Sequence, residues 1–408
     1  MNLRAGLTAG AALILLPVTA FVALLVGFGA GVYADQAYPD WIPYVAHHQV
    51  GSVDTTELDQ AIRLIQGDYV DGNVDMTKLS HGTVSGLIAS LGDPFSAYYD
   101  PTQYKRLQES YQGRYSGIGI YLSFSATGYP TITGTVPGSP AASAGIQGGD
   151  QIIKVGGKDI KGITADQATA LIQGADGTQV TLTLLRGTNT FDVTVMRAEI
   201  QVPSVRSTII GDHILYIRIY SFGASTAADF ETALKAGLPG AKGIVLDLRE
   251  NPGGFVDAAS SVISDFVASG ETYELHGRNN SVERHYVSGN HPAPNAPLVA
   301  LVDANSASAA EILAGSLQVH QRAKLVGTVT FGKGSVQQDF PLSDGADIHL
   351  TIKLWYLPNG TTINHKGLTP DVPVTLASTA DEFDVTQPGL GYAKDTQLNA
   401  ALGLLPPG

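Results

Sequence analysis

Two short stretches of this 408-residue chain bring together side chains capable of nucleophilic chemistry. In "SASAAEI" (306–312) two serines and a glutamate follow an apolar run, and in "TFGKGSVQQ" (330–338) Lys333 stands between two glycines with Gln337 four residues on. A serine hydroxyl attacks an acyl carbon efficiently when a base takes its proton, and a neutral lysine is an accepted base for that step. At the ordinary lysine pKa of about 10.4, roughly one lysine in 2,500 is neutral at pH 7, so this chemistry demands burial. Phe331 and Val336 supply apolar neighbours. If 330–338 is helical, Lys333 and Gln337 share one face. A third stretch, "DLRENPGG" (247–254), ends in a Pro-Gly-Gly turn whose glycines allow close backbone approach to a ligand.

Each stretch also has a plain structural reading. Ser308 to Glu311 fits a capping box, a lysine between glycines fits a solvated loop, and Pro-Gly-Gly fits an ordinary turn. The ten histidines offer no recognisable alternative base or metal site. There is no HExxH, no Gly-x-Ser-x-Gly elbow around Ser308 and no phosphate-binding loop, and His213, His320 and His349 read as structural or exposed. A Ser-Lys pair at a helix start, where unpaired N–H groups favour an oxyanion, is the economical proposal.

Around these stretches the pattern is that of an α/β domain. Apolar runs at 243–248 and 297–303 read as buried strands, the second delivering its end to Ser306 and Ser308, and a helix is expected over 308–320. Loops at the carboxyl ends of such strands are where chemistry usually sits. Residues 112–200 alternate short β-rich runs with glycine turns, and 55–111 carry helical patterning broken by Gly67, Gly72, Gly92, Pro94 and Pro101. With 44% hydrophobic and 15% charged residues the chain can bury a large core in two or three domains. A net charge of -13 and the lack of any basic stripe exclude nucleic acid as a partner, and the absence of cysteine excludes disulfides and thiolate metal sites. Leu7 to Val32 is free of charge and follows Arg4. That length crosses a bilayer core of about 30 Å with the amino terminus inside, so an uncleaved membrane anchor is expected. The alternative is a signal peptide cut near Val32-Tyr33-Ala34, giving a secreted or periplasmic protein. Either way the remainder is expected outside the cytoplasm, in the cell envelope if the anchor is kept and periplasmic or secreted if it is cut.

"SASAAEILAGSLQ…RAKLVGTVTFGKGSVQ", with "DLRENPGG" upstream, resembles the carboxyl-terminal processing peptidases, the tail-specific serine proteases of family S41. "LGDPFSAYYDPTQYKRLQES" is similar to that family's helical segment, "GRYSGIGIYL…VPGSPAASAGIQGGDQIIKVGGKDI" to its PDZ domain, and "HKGLTPDVPV" to its last core motif. The resemblance implies a multi-domain α/β protein. Its parts would be an anchor or signal (1–35), a linker and helical segment (36–111), a PDZ domain (112–200), a crotonase-like peptidase core (201–378) and a carboxy-terminal tail (379–408). It implies Ser308, not Ser306, as nucleophile, Lys333 as general base, Gln337 as the residue orienting it, and the N–H groups of Gly254 and Ala309 as oxyanion hole. One departure is Ala310, where the family usually has a second serine. The PDZ loop Gly117, Ile118, Gly119 and Ile120 would capture a substrate's carboxylate, with Ala168 and Leu171 on a helix over 164–173 lining the pocket for an apolar last residue. No metal or other cofactor is implied. Expected partners are proteins or peptides with free apolar carboxyl termini, and an adaptor if the PDZ domain gates the site. Two other readings fit parts of the pattern: a catalytically silent PDZ scaffold at the membrane, and an acyl-transfer or CoA-ester enzyme of similar architecture.

Overall fold

A computed structural model of the protein describes residues 54–406 apart from 125–127, 137, 290, 379–380 and 387. The expected anchor over Leu7–Val32, and the alternative signal cleavage, lie outside the described residues. Among the described residues no helix is long and apolar enough to cross a membrane. The chain divides into two units at Met76. The described part of the first is built on helix α1 (Thr56–Asp68), which carries Glu57 and Asp59 in its first turn, where free amides favour negative charge, and buries none of its residues.

The second unit opens with α2 (Met76–Ala89), strand β1 (Ala97–Tyr99) and helix α3 (Pro101–Tyr111). Asp100 stops the strand and starts the helix: its carboxylate accepts from the N–H groups of Thr102 and Gln103, both at 2.8 Å, and Gln103 returns the bond. The helical patterning expected throughout 55–111 therefore fails at "AYY". Those residues pair as a strand with a partner some 250 positions away in the chain, Ala97 with His349 and Tyr99 with Asp347.

A β-rich domain follows, with strands β2 (Arg114–Gly117), β3 (Ile120–Ser123), β4 (Thr131–Thr135), short helix α4 (Pro140–Ser143), β5 (Gln151–Val155), β6 (Lys158–Asp159), helix α5 (Ala165–Ile172), β7 (Gln179–Arg186), β8 (Asn189–Met196) and β9 (Ala198–Gln201). β2 and β9 pair antiparallel where the chain enters and leaves the domain. The sheet runs β3-β4-β5-β7-β8, which leaves β3 as an edge strand. Its core is aliphatic, with Ile118, Ile132, Ile152, Ile160, Leu182 and Leu184 all essentially inaccessible.

The remaining elements are β10 (Val205–Ile210), β11 (Ile214–Ile219), α6 (Thr226–Gly237), β12 (Gly243–Asp247), α7 (Val256–Phe266), β13 (Glu271–Gly277), β14 (Val282–Tyr286), β15 (Leu298–Val302), α8 (Ala309–Val319), β16 (Lys324–Gly327), β17 (Ser335–Pro341), β18 (Asp347–Tyr356), β19 (Val372–Pro373) and α9 (Thr396–Leu402). A six-stranded sheet runs β10-β11-β12-β15-β16-β19, parallel from β11 onward. Its central strands are continuous apolar runs because both faces are covered. On one face Ile217, Leu246, Ala300 and Leu325 pack with residues of α6, α7 and α8; on the other Val245, Val299, Leu301 and Val326 meet Phe383, Leu398, Ala401 and Leu405. The described residues of the carboxy-terminal segment, expected as a tail over 379–408, thus cover the sheet's second face through Phe383, Leu398, Ala401 and Leu405. A second sheet, β1-β18-β13-β14 with β17 on β18, carries the chain onward from Lys333.

Candidate active site

The carboxyl ends of β12 and β15 lie side by side, so the loops 248–255 and 303–308 that leave them are neighbours. Asn251 stitches them together. Its carbonyl accepts from Ala307 N–H (2.9 Å), its amide nitrogen donates to the Ile219 carbonyl (2.8 Å), and its amide oxygen accepts from Gly253 N–H (2.9 Å). Gly253 and Gly254 adopt φ of +98° and +136°. A side chain at Gly253 would sit 2.7 Å from Ser308 Cβ and 3.0 Å from Ala309 N, and one at Gly254 would strike the Phe222 carbonyl at 2.2 Å. Only glycine lets the two loops come this close.

The two serines of the motif have different surroundings. Ser306 is fully buried; its hydroxyl donates to the Leu248 carbonyl (2.7 Å) and accepts from Asp303 N–H (2.9 Å), which commits it to the scaffold. Ser308 precedes the first turn of α8 with φ 56° and ψ -116°, a sparsely populated backbone conformation for a residue with a side chain. It is 7% exposed and lines a cavity of about 560 Å³ together with Gly253, Gly254, Lys333 and Gln337. The Ala309 amide, at the first helical position, has no acceptor within its own helix.

Glu311 joins serine and lysine. Its buried carboxylate accepts four hydrogen bonds, from Ser308 N–H (2.9 Å), Thr330 hydroxyl (2.5 Å), Gly332 N–H (2.7 Å) and Lys333 N–H (3.0 Å). Burial pushes its pKa up against those donors, which favour the charged form. The capping glutamate and the serine–lysine motif are therefore one structure: the box that starts α8 also fixes the backbone of Lys333.

Lys333 is further held by Trp355, whose indole N–H donates to the Lys333 carbonyl (2.9 Å). Its amine lies over the Phe95 ring, 5.0 Å from the centroid, and Phe95 meets Phe331 edge-on. Burial lowers the lysine pKa, while the Asp93 and Glu311 carboxylates act the other way. Gln337 is not on a helix with Lys333: the chain leaves the lysine as a loop and enters β17, where pairing to β18 decides the backbone. Its amide nitrogen donates to the hydroxyls of Ser335 and Thr351, both at 2.9 Å. Asn251 lies within "DLRENPGG" and Asp93 and Phe95 within "LGDPFSAYYDPTQYKRLQES", but nothing local to those stretches or to Trp355 marks these side chains as neighbours of the site; Asp93, Phe95 and Trp355 reach it through long-range packing.

In the β-rich domain Gly117 ends β2, and Ile118 and Gly119 form the turn into Ile120 of β3. Gly119 has φ +80°, and a side chain there would strike Ser139 at 2.3 Å. Ala141 N–H holds the Ile118 carbonyl (2.8 Å) and Val136 N–H the Gly119 carbonyl (3.0 Å). Ala168 does not line an open pocket. It is fully buried with Ile118 in the domain core, because residues 168 and 172 share the inward face of α5, whereas Leu171 is only partly covered.

Comparison with known proteins follows the same division. Residues 213–374 match Peptidase family S41, 131–186 match PDZ domain, and 43–102 match Activating protease CtpB N-terminal domain. The chain is 38% identical over 322 residues to the carboxy-terminal-processing protease of Bartonella bacilliformis, covering 76% of this chain and 74% of that relative. It is 37% identical to the carboxy-terminal processing protease CtpA of Bacillus subtilis, covering 78% and 69%. A solved structure of a putative S41 protease from Bacteroides fragilis superposes with a TM-score of 0.55 over 84% of this chain and 95% of that one; at 20% identity it speaks for the fold alone.

Proposed function

This chain belongs to peptidase family S41 and is a carboxy-terminal processing serine protease with a PDZ domain, and on that premise we propose that Ser308 is its nucleophile and Lys333 its general base. Neutral Lys333 takes the proton of Ser308 Oγ as the oxygen adds to a peptide carbonyl. The amides of Gly254 and Ala309 hold the resulting oxyanion, each donor contributing about 3–4 kcal/mol. The lysine then gives its proton to the departing amine, leaving an ester on Ser308. Water, deprotonated by the same lysine, cleaves that ester. Gln337 orients the lysine through its amide oxygen, its nitrogen being engaged elsewhere.

The observation that carries this reading is the shared cavity, in which a serine on a strained helix start and a lysine desolvated against Phe95 both open to one space. Substrate delivery belongs to the PDZ domain. An extended tail adds to the free edge of β3, and the turn Gly117 to Ile120 receives its carboxylate. The charge-free segment Leu7–Val32 supports an enzyme anchored at the membrane and working outside the cytoplasm.

The test is cleavage of an unfolded reporter with an apolar carboxyl-terminal tail by the full chain. Ser308→Ala and Lys333→Ala should each lower kcat/KM at least about 10,000-fold with the fold intact. Amidating the reporter's terminus should raise KM more than it lowers kcat. Undiminished cleavage by either variant would sink the dyad, and indifference to amidation would sink tail recognition.

A further inference from the structure

The cavity that holds Ser308 has a second polar corner to which none of these steps gives a role. Asp339 on β17 and Asp347 and His349 on β18 bring one donor atom each within 4.8 Å of one another. Strand register explains the meeting: Asp339 lies opposite His349 across the β17–β18 pair, and Asp347 is two residues back on the same strand, so all three side chains share a face. His349 Nδ1 is 2.6 Å from Asp339 Oδ1. Asp347 is fully buried, yet neither of its carboxylate oxygens has a well-formed hydrogen bond among the described residues, the Phe340 N–H being the one donor near enough to favour its charge. An unpartnered buried carboxylate is strongly disfavoured, and a second carboxylate beside it makes the deficit worse unless something positive sits between them.

We propose that Asp339, Asp347 and His349 form a binding site for a first-row divalent cation of the zinc or manganese class, with water completing the shell. One imidazole with two carboxylates suits such ions better than magnesium or calcium, which prefer oxygen alone. Asp339 and His349 both line the cavity, with side chains 26% and 15% exposed, so an ion enters from that side and Asp347 forms the floor. Ligand bonds of about 2.0–2.2 Å set tetrahedral donors roughly 3.3 Å apart, so the His349–Asp339 contact opens from 2.6 Å by about 0.7 Å while the wider spacings close. The bound ion ties β17 to β18 two residues from Gln337. The site stands whether or not Ser308 is the nucleophile.

The test uses the full chain, stripped with chelator, dialysed and titrated with Zn²⁺ by calorimetry and with Co²⁺ by visible absorption. The expected result is one ion per chain, a ligand-field band with Co²⁺, and affinity at least about 10–100-fold weaker in Asp347→Asn and His349→Gln. Glu250→Gln, in a separate carboxylate cluster with Asp303 and Glu382, should leave binding as it was. Absence of saturable binding to the folded, unsubstituted protein overturns the proposal. So does binding that survives in the folded variants or disappears with Glu250→Gln. Circular dichroism checks each fold, and if Asp347→Asn fails to fold the more exposed Asp339→Asn takes its place.

Discussion

In the proposed mechanism the amine of Lys333 is the general base, and three neighbours set its proton affinity. Burial against Phe95 and the loop lowers it, while the carboxylates of Asp93 and Glu311 hold it up; burial is the larger effect. A general base works deprotonated, so kcat/KM should rise with pH through the lysine pKa and fall below it, with the limb under the ordinary value of about 10.4. Replacing Phe95 with alanine admits water, moving the limb upward and lowering activity at pH 7 about tenfold for each unit of the shift. The ring's attraction for the charged amine works in the opposite sense, but that is about 0.5–2 kcal/mol, against several pKa units available from desolvation. A limb in the same place for Phe95→Ala, measured as kcat/KM across pH, would mean that burial there does not tune the base. At this scale the sequence was informative about residue types and silent about their company. Ser308, Lys333 and Glu311 stood in legible motifs, but the tie from Glu311 to the lysine loop needs the fold to bring residues 311 and 333 together.

The elements that present these side chains are held from behind by charge. Arg249, at the foot of the Pro-Gly-Gly loop, is fully buried. It donates to Asp247 (2.6 and 2.9 Å), to Asp395 (2.9 and 3.1 Å) and to the Gln397 amide oxygen (3.1 Å). Asp395 in turn caps α9 by accepting from Leu398 N–H (2.8 Å). Tyr216 donates to Asp247, and Arg218 bridges to Glu382 at 3.0 Å. Arg249→Met should therefore destabilise the protein by about 3–5 kcal/mol in a denaturant titration, because it strands two buried carboxylates. A loss under about 1 kcal/mol would show that water or rearrangement relieves them. The strands β12 and β15 were readable because a two-sided sheet writes continuous apolar runs. β1 and β17 were not: three residues in one case and a half-exposed "SVQQDFP" in the other become strands through their pairing with β18.

Across the whole molecule, regions distant in sequence complete one another. The segment 381–406, which by position and by its "ALGLLPPG" ending reads as a tail, places Leu398, Ala401 and Leu405 under the parallel sheet; nothing in its composition says which face it will cover. A compact β-rich domain was legible from glycine turns and short strands, and its likeness to a PDZ domain from the family resemblance, whereas the burial of Ala168 depends on how α5 is rotated against Ile118. The same assembly brings Phe95, Gly253 and Ser308 from three separate segments to one amine and one cavity, where the proposed reaction leaves an ester on that serine. The measurement that tests it most directly is to mix the full chain with an unfolded tailed substrate, quench within a turnover and map the acylated residue by mass spectrometry. An acyl group on the peptide carrying Ser308, absent in Lys333→Ala, is the predicted result. Acylation of Ser306, or cleavage with no covalent intermediate at any time point, would contradict it.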